Sequence, residues 1–199
     1  MSPEAASCER ESADAVGAFV AVVGPSGAGK DTLIRLAARH FAGDDGFHFA
    51  RRFVTRKADP DAEDHAEIDE DEFERRENAD DFALSWRAHG LGYGLDASLL
   101  RQIARGQIVI ANITRRQIGD AAAVFPRLAV AHIVVDEPLL VERIVQRGRE
   151  DRAAAIQRAR REAPLDLPRT VWRAAEIDNS GPVEWGVKRF IDFLEGCRP

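Results

Sequence analysis

The sequence predicts a three-layer α/β fold built on a central parallel sheet. Three observations lead there. Short apolar runs, "AFVAVVG" (18–24), "QIVIANI" (107–113) and "LAVAHIVVD" (128–136), have the near-continuous hydrophobicity of strands buried on both faces. Helix-spaced segments separate them, as crossover connections in a parallel sheet require. The first run ends on a glycine-rich loop that leads directly into a helical pattern. A length of 199 residues suits one medium domain, and 45% hydrophobic content is enough for its core.

Each element follows from the chain in order. Residues 1–17 are polar, lack the apolar core of a signal peptide, and are expected to be a disordered tail; a single domain is expected over 18–199. From Lys30, the apolar residues Leu33, Leu36, Ala37 and Phe41 recur at helical spacing. Residues 47–95 break the alternation. "FHFARRFVTR" is strand-like, "DEDEFERREN" is a short helix with acids in its first turn, and "FALSWRAHGLGYGLD" alternates and turns on glycines like a hairpin. This stretch is expected to be an inserted substrate-binding unit. After the second run, "TRRQIGDAAAVF" reads as helix. After the third, "EPLLVERIVQRGRE" has Pro138 in its first turn and Leu140, Ile144 and Arg147 on one face. "DRAAAIQRARREA" (151–163) is an Ala/Arg-rich helix, "AAEIDNSG" (174–181) a last strand and turn, and "PVEWGVKRFIDFLEG" a closing amphipathic helix. Trp86, Trp172 and Trp185 are expected in packing rather than as base-stacking platforms.

Composition narrows the function. A net charge of −6 gives no general attraction to nucleic acid or to anionic membranes, so neither is expected as a partner. No apolar run approaches the ~20 residues of a membrane span. Cys8 and Cys197 form neither a disulfide framework nor a metal-ligand spacing. A cytoplasmic soluble protein is the expectation.

The chemistry concentrates in three places. "GPSGAGKD" (24–31) fits the phosphate-binding pattern at Gly24, Gly29 and Lys30, between a strand and a helix. Such a loop curls backbone N–H groups round a phosphate, and Lys30 reaches the outer phosphates. Of 28 Lys and Arg together only three are Lys, so compositional bias does not supply this lysine. Asp31 replaces the usual metal-holding hydroxyl. Its carboxylate suits Mg²⁺ directly or through water, with the alternative of a plain helix-start acid, and Thr32 offers a hydroxyl one position later. The second place is the arginine stretch Arg143, Arg147, Arg149, Arg152, Arg158, Arg160 and Arg161. Arg147 and Arg149 flank Gly148 and suit a lid over 147–161 that neutralises transferring phosphate. The third is "RRFVTR" (51–56), where Arg52 and Arg56 suit a phosphate clamp, with His65 and Tyr93 as further donors. Thirteen acids over 59–81 are expected on an outward, solvated face.

Taken together, "GPSGAGKD", "VTRKADPDAEDHAE", "GLGYG", "GQIVIANI", "QRGRE" and "DNSG" resemble, in that order, the guanylate kinase-like kinases of the P-loop class. The resemblance spans residues 18–195. Within the class, Lys30-Asp31, Thr55-Arg56, Leu84-Ser85-Trp86 and Tyr93-Gly94 resemble the ribose 1,5-bisphosphate phosphokinases of bacterial phosphonate breakdown. That resemblance implies transfer of the ATP γ-phosphoryl to the 1-phosphate of ribose 1,5-bisphosphate, giving 5-phosphoribosyl 1-diphosphate (PRPP) and ADP, with Mg²⁺. It implies ATP contacts along Gly24, Pro25, Ser26, Gly27, Ala28, Gly29, Lys30, Asp31 and Thr32, catalytic roles for Lys30, Arg147 and Arg149, and acceptor binding by Arg52, Arg56, His65 and Tyr93. Asn112 stands where guanylate kinases carry an acidic or hydroxyl residue. Alignment on Tyr93-Gly94 puts Leu84 where they carry the carboxylate that reads guanine. The alternatives are a guanylate or other nucleoside monophosphate kinase and a non-catalytic guanylate kinase-like binding module. An intact Lys30 argues against the last.

Overall fold

The computed structural model describes residues 16–56, 65–146, 156 and 165–199. Most of the tail expected over 1–17 lies outside the described residues, as do the lid expected over 147–161 and the helix expected over 151–163, Ile156 excepted.

Five strands form one wholly parallel sheet: β1 (Ala18–Val23), β2 (Phe47–Phe49), β7 (Ile108–Asn112), β8 (Leu128–Val134) and β9 (Arg173–Asp178), in the order β2-β7-β1-β8-β9. Central β1 is buried at every residue. Its alternation splits the core in two. Ala18, Val20 and Val22 face α1 (Lys30–His40) and α6 (Val183–Glu195), meeting Leu33, Ala37, Phe190 and Leu194. Phe19, Ala21 and Val23 face α3 (Ser98–Ala104) and α4 (Ile118–Val124), where Phe19 stacks on Phe125 at 4.1 Å. A strand flanked by helices on both faces is the three-layer arrangement that the apolar runs predict.

From β1 the chain builds β2 and then β7 on one side of it, and then crosses to β8 and β9 on the other. Their carboxyl ends therefore open a crevice at this change of direction, where open α/β sheets bind ligands. The loop after β1 lies there. So does the N-terminus of α5 (Glu137–Gln146), which follows β8.

The segment 47–95 divides, contrary to its reading as one insertion. Phe47–Phe49 pairs with β7 and belongs to the parallel sheet. The rest makes a second sheet of β3 (Arg52–Val54), β4 (His65–Glu67), β5 (Phe82–Ala88) and β6 (Leu91–Asp96), in the order β4-β3-β6-β5. The expected hairpin turns on His89 and Gly90, both at positive φ (53° and 76°), the pair of angles a two-residue primed turn needs. The acidic helix is α2 (Glu70–Asn78); the Asp69 carboxylate caps it by accepting from the Glu72 N–H at 2.8 Å. Of its first-turn acids Glu70 and Asp71 are exposed and Glu72 half-buried.

Of the three tryptophans, Trp86 is buried, stacked parallel to Tyr93 at 5.3 Å. Trp172 and Trp185 depart from the packing expectation and are exposed. The guanidinium of Arg127 covers Trp172 at 4.1 Å. Trp185 sits on the outer side of α6, because Gly186 takes the inward position.

Candidate active site

The phosphate loop is shaped by glycine where only glycine fits. Gly24 lies at φ 149°, and a Cβ there would collide with the Ile133 carbonyl of β8. Gly27 and Gly29 also have positive φ (96° and 87°), and Gly29 caps the start of α1. The loop therefore ends on a helix N-terminus, whose N–H groups and dipole favour anions. The Lys30 ammonium donates to the carbonyls of Gly24 and Pro25, both at 2.8 Å, which holds it across the loop's mouth.

Asp31 is exposed in the first turn of α1, and the Asn112 amide at the end of β7 donates to its Oδ1 at 3.0 Å. The residue that sequence comparison left without a role thus stands beside the loop's unusual acid. Together they offer a carboxylate and an amide oxygen, the hard oxygen donors that Mg²⁺ takes alongside water and phosphate. Among the described residues, no cluster of three or more His, Cys, Asp or Glu offers an all-protein metal cage. The donor set fits a Mg²⁺ shared with a nucleotide.

One face of the second sheet packs largely against the core and, at Arg52, comes within reach of Asp31. Strand alternation puts Arg52 and Val54 of β3, Tyr93 and Leu95 of β6, and Leu84 and Trp86 of β5 on that face. The opposite face, with Gly92 and Gly94, packs on Phe73 and Phe82. Ser85 pairs with Gly94 on this far face, so Leu84 is the residue sharing a face with Tyr93. Leu84 is itself buried in the core. Uninterrupted pairing of Leu84–Ala88 with Leu91–Leu95 sets this phase, and the register irregularity falls before it, between Phe82 and Leu84.

Arg52 is only 7% exposed, and its guanidinium lies 5.6 Å from the centre of the Tyr93 ring. Burial lowers its pKa, the Asp31 and Tyr93 charges oppose that, and Arg56 adds to it. Asp31 of the phosphate loop therefore acts on the arginine of the second sheet. Arg56 follows β3 in a turn held by Thr55, whose Oγ1 accepts from the Gly92 N–H at 2.8 Å. The Arg56 Nε is buried without a hydrogen-bond partner. His65 is buried, and its Nε2 lies 3.3 Å from the Arg56 carbonyl, a contact in which the ring nitrogen donates. It braces the Arg56 turn, and as the register partner of Arg52 it shares that residue's face of the sheet.

Arg52, Tyr93, Asp31 and Lys30 are thus brought to one crevice. Arg147 and Arg149 lie outside the described residues. Arg143 on α5 reaches the loop region, donating to the Asn179 carbonyl at 3.1 Å. Asn179, in the "DNSG" turn, donates from Nδ2 to the Ala28 carbonyl at 2.8 Å. Sequence reasoning assigned it no role; its signals were its place in a turn after the last strand and in the "DNSG" segment of the family resemblance.

No protein-family model matches the chain. It is 43% identical over 178 residues to the ribose 1,5-bisphosphate phosphokinase PhnN of Brucella melitensis, covering 89% of this chain and 92% of that protein. It is 41% identical over 180 residues to the protein of the same name from Rhizobium etli, covering 90% of each. Among solved structures, guanylate kinase from Anaplasma phagocytophilum matches 92% of this chain and 89% of its own, with a TM-score of 0.64 at 14% identity. That likeness is one of fold alone.

Proposed function

The chain belongs to the ribose 1,5-bisphosphate phosphokinase family, and from that premise we propose that it transfers the γ-phosphoryl of ATP to the 1-phosphate of ribose 1,5-bisphosphate, forming PRPP and ADP. An oxygen of the acceptor phosphate forms the new bond to the γ-phosphorus. The bond from that phosphorus to the β–γ bridging oxygen breaks, and its electron pair leaves with ADP. The acceptor oxygen is already anionic at neutral pH, so no general base is needed. Positioning and charge neutralisation carry the reaction.

The observation that carries this reading is the meeting of two phosphate-binding surfaces at Asp31. The loop after β1, with Lys30 across its mouth, is the donor side. The buried Arg52 over Tyr93, close enough to Asp31 to feel its charge, is the acceptor side. In this proposal Lys30 stabilises charge on the transferring phosphoryl, Arg52, Arg56 and Tyr93 hold the acceptor, and His65 acts through Arg56. Arg147 and Arg149 are proposed to close over the donor phosphates. Asp31 and Asn112 would hold Mg²⁺, which would supply charge neutralisation for the transferring phosphoryl group. Leu84 on the acceptor face offers no hydrogen-bond acceptor to a base edge, which favours a sugar bisphosphate over GMP. Work on ATP and a phosphorylated sugar fits the cytoplasm.

Incubation with Mg-ATP and ribose 1,5-bisphosphate, followed by ³¹P NMR, tests the proposal. One diphosphate-bearing PRPP should appear per ADP. ADP formed without PRPP would reject it.

A further inference from the structure

Behind the phosphate loop stands a side chain that touches no reacting group. Asn179 follows β9 and is 97% buried, with a relative exposure of 3%. Three hydrogen bonds fix its position. Its N–H donates to the Val134 carbonyl at the end of β8 (2.9 Å), and its own carbonyl accepts from Arg143 of α5 (3.1 Å). Its amide Nδ2 donates to the Ala28 carbonyl inside the loop (2.8 Å). The amide is also walled in. A Cβ on Gly29 would lie 2.5 Å from Nδ2, and one on Gly186 of α6 would collide with Oδ1. The turn that carries Asn179 is braced too: the Ser180 N–H donates to Asp178 Oδ1, and Ser180 Oγ accepts from the Asp136 N–H, both at 2.9 Å.

The bond to Ala28 has a consequence for the peptide that follows. In a planar trans peptide the C=O and the next N–H point in opposite directions. Pulling the Ala28 carbonyl toward Asn179 therefore turns the Gly29 N–H the other way, toward the inside of the loop. That N–H is one of the donors on which such a loop relies for phosphate. Resting on the phosphokinase reading above, we infer that Asn179 is a positioning residue for the donor site: it sets the Ala28–Gly29 peptide in the orientation that binds nucleotide phosphate. Arg143 and Gly186 act through it, one from the helix after β8 and one from the closing helix. The orientation of the amide is not interchangeable, since a flipped group would set Oδ1 against the Ala28 carbonyl.

The test measures equilibrium binding of Mg-ATP without acceptor, together with the acceptor KM and the melting temperature. Asn179→Asp keeps the shape and loses the donor when ionised. Its ATP Kd should rise roughly tenfold at neutral pH, the cost of one hydrogen bond on a charged ligand's site. The ribose 1,5-bisphosphate KM should stay within about twofold. Burial raises the pKa of the new carboxyl, and the protonated acid regains an O–H donor for Ala28. ATP binding should therefore recover relative to wild type as pH falls. Gly186→Ala approaches from behind and touches neither loop nor ligand. Alanine is otherwise favoured over glycine in a helix, yet here it should displace Asn179 and weaken ATP in the same way. Unchanged ATP affinity in both variants, or equal weakening of ATP and acceptor, would overturn the assignment. A wild-type protein that binds no ATP would instead strike the phosphokinase reading itself.

Discussion

The donor loop and the acceptor face are built by opposite means. The donor side is backbone. It consists of three glycines at positive φ, the first turn of α1 and a lysine resting on main-chain carbonyls. All of it is anchored on β1, which is buried throughout. The acceptor side is side chains. Arg52 stands on a three-residue strand held by a few ladder bonds, Arg56 in the turn after it, and Tyr93 on the neighbouring six-residue β6. Backbone geometry leaves little to vary, so the donor loop sets chemistry common to many kinases. Side chains on short strands change one residue at a time, so the acceptor face sets which molecule receives the phosphoryl group.

That contrast predicts separable damage. Lys30→Ala should have the largest effect, lowering kcat/KM at least ~100-fold as single electrostatic donors do elsewhere. Its melting temperature should hardly move, since the ammonium is not part of the core. Near-normal turnover would break the contrast on the donor side.

Arg52→Lys comes next. It keeps the charge but loses the fork that binds phosphate in two places. One charged hydrogen bond is worth ~1.5–3 kcal/mol, so the acceptor KM should rise about tenfold or more while ATP affinity holds. An equal loss of ATP binding would show that the two sides are not separable at Arg52.

Asp31→Ser tests the place where the sides meet. Restoring a hydroxyl should shift the Mg²⁺ concentration for half-maximal rate and also change the acceptor KM by severalfold, because Asp31 lies close enough to act electrostatically on buried Arg52. A shift in Mg²⁺ alone would confine Asp31 to the donor side, and no shift in either would make it a helix-start acid only.

The smallest effect belongs to the frame. Burial, and then Arg115, lower the pKa of His132 on β8 below its ordinary value. The unfolded chain takes up a proton near pH ~6.5 that the folded protein resists. The stability tied to His132 is therefore complete above that pH and is lost as pH falls through it. Between about pH 7.5 and about pH 5.5 the melting temperature should fall less in His132→Gln than in wild type. Identical pH profiles would remove His132 from this account.

The same contrast governs what the sequence makes legible. The apolar runs of β1, β7 and β8 and the glycines at 24, 27 and 29 state their structure directly, because burial on both faces and positive φ restrict residue type. The second sheet is less legible. Phe47–Phe49 looks continuous with Arg52–Val54, but two intervening residues pass it from one sheet to the other. The three residues His65–Glu67 pair with β3 without showing a pattern of their own. Asn179 is illegible for a different reason. Its role depends on Ala28, 151 residues away, and no local spacing encodes such a contact. Trp172 and Trp185 show the limit of composition, since a large apolar residue is not obliged to be inside.

The acceptor decides the central claim. Steady-state kinetics with ribose 1,5-bisphosphate and with GMP, at fixed Mg-ATP, compare the two directly. Leu84, where the family resemblance puts the guanine-reading carboxylate, is apolar and buried, so a guanine edge finds no carboxylate there and leaves its donors unpaired at ~1–3 kcal/mol each. The account predicts a kcat/KM for ribose 1,5-bisphosphate higher by a few powers of ten. GMP turnover equal to or better than that of ribose 1,5-bisphosphate would contradict it.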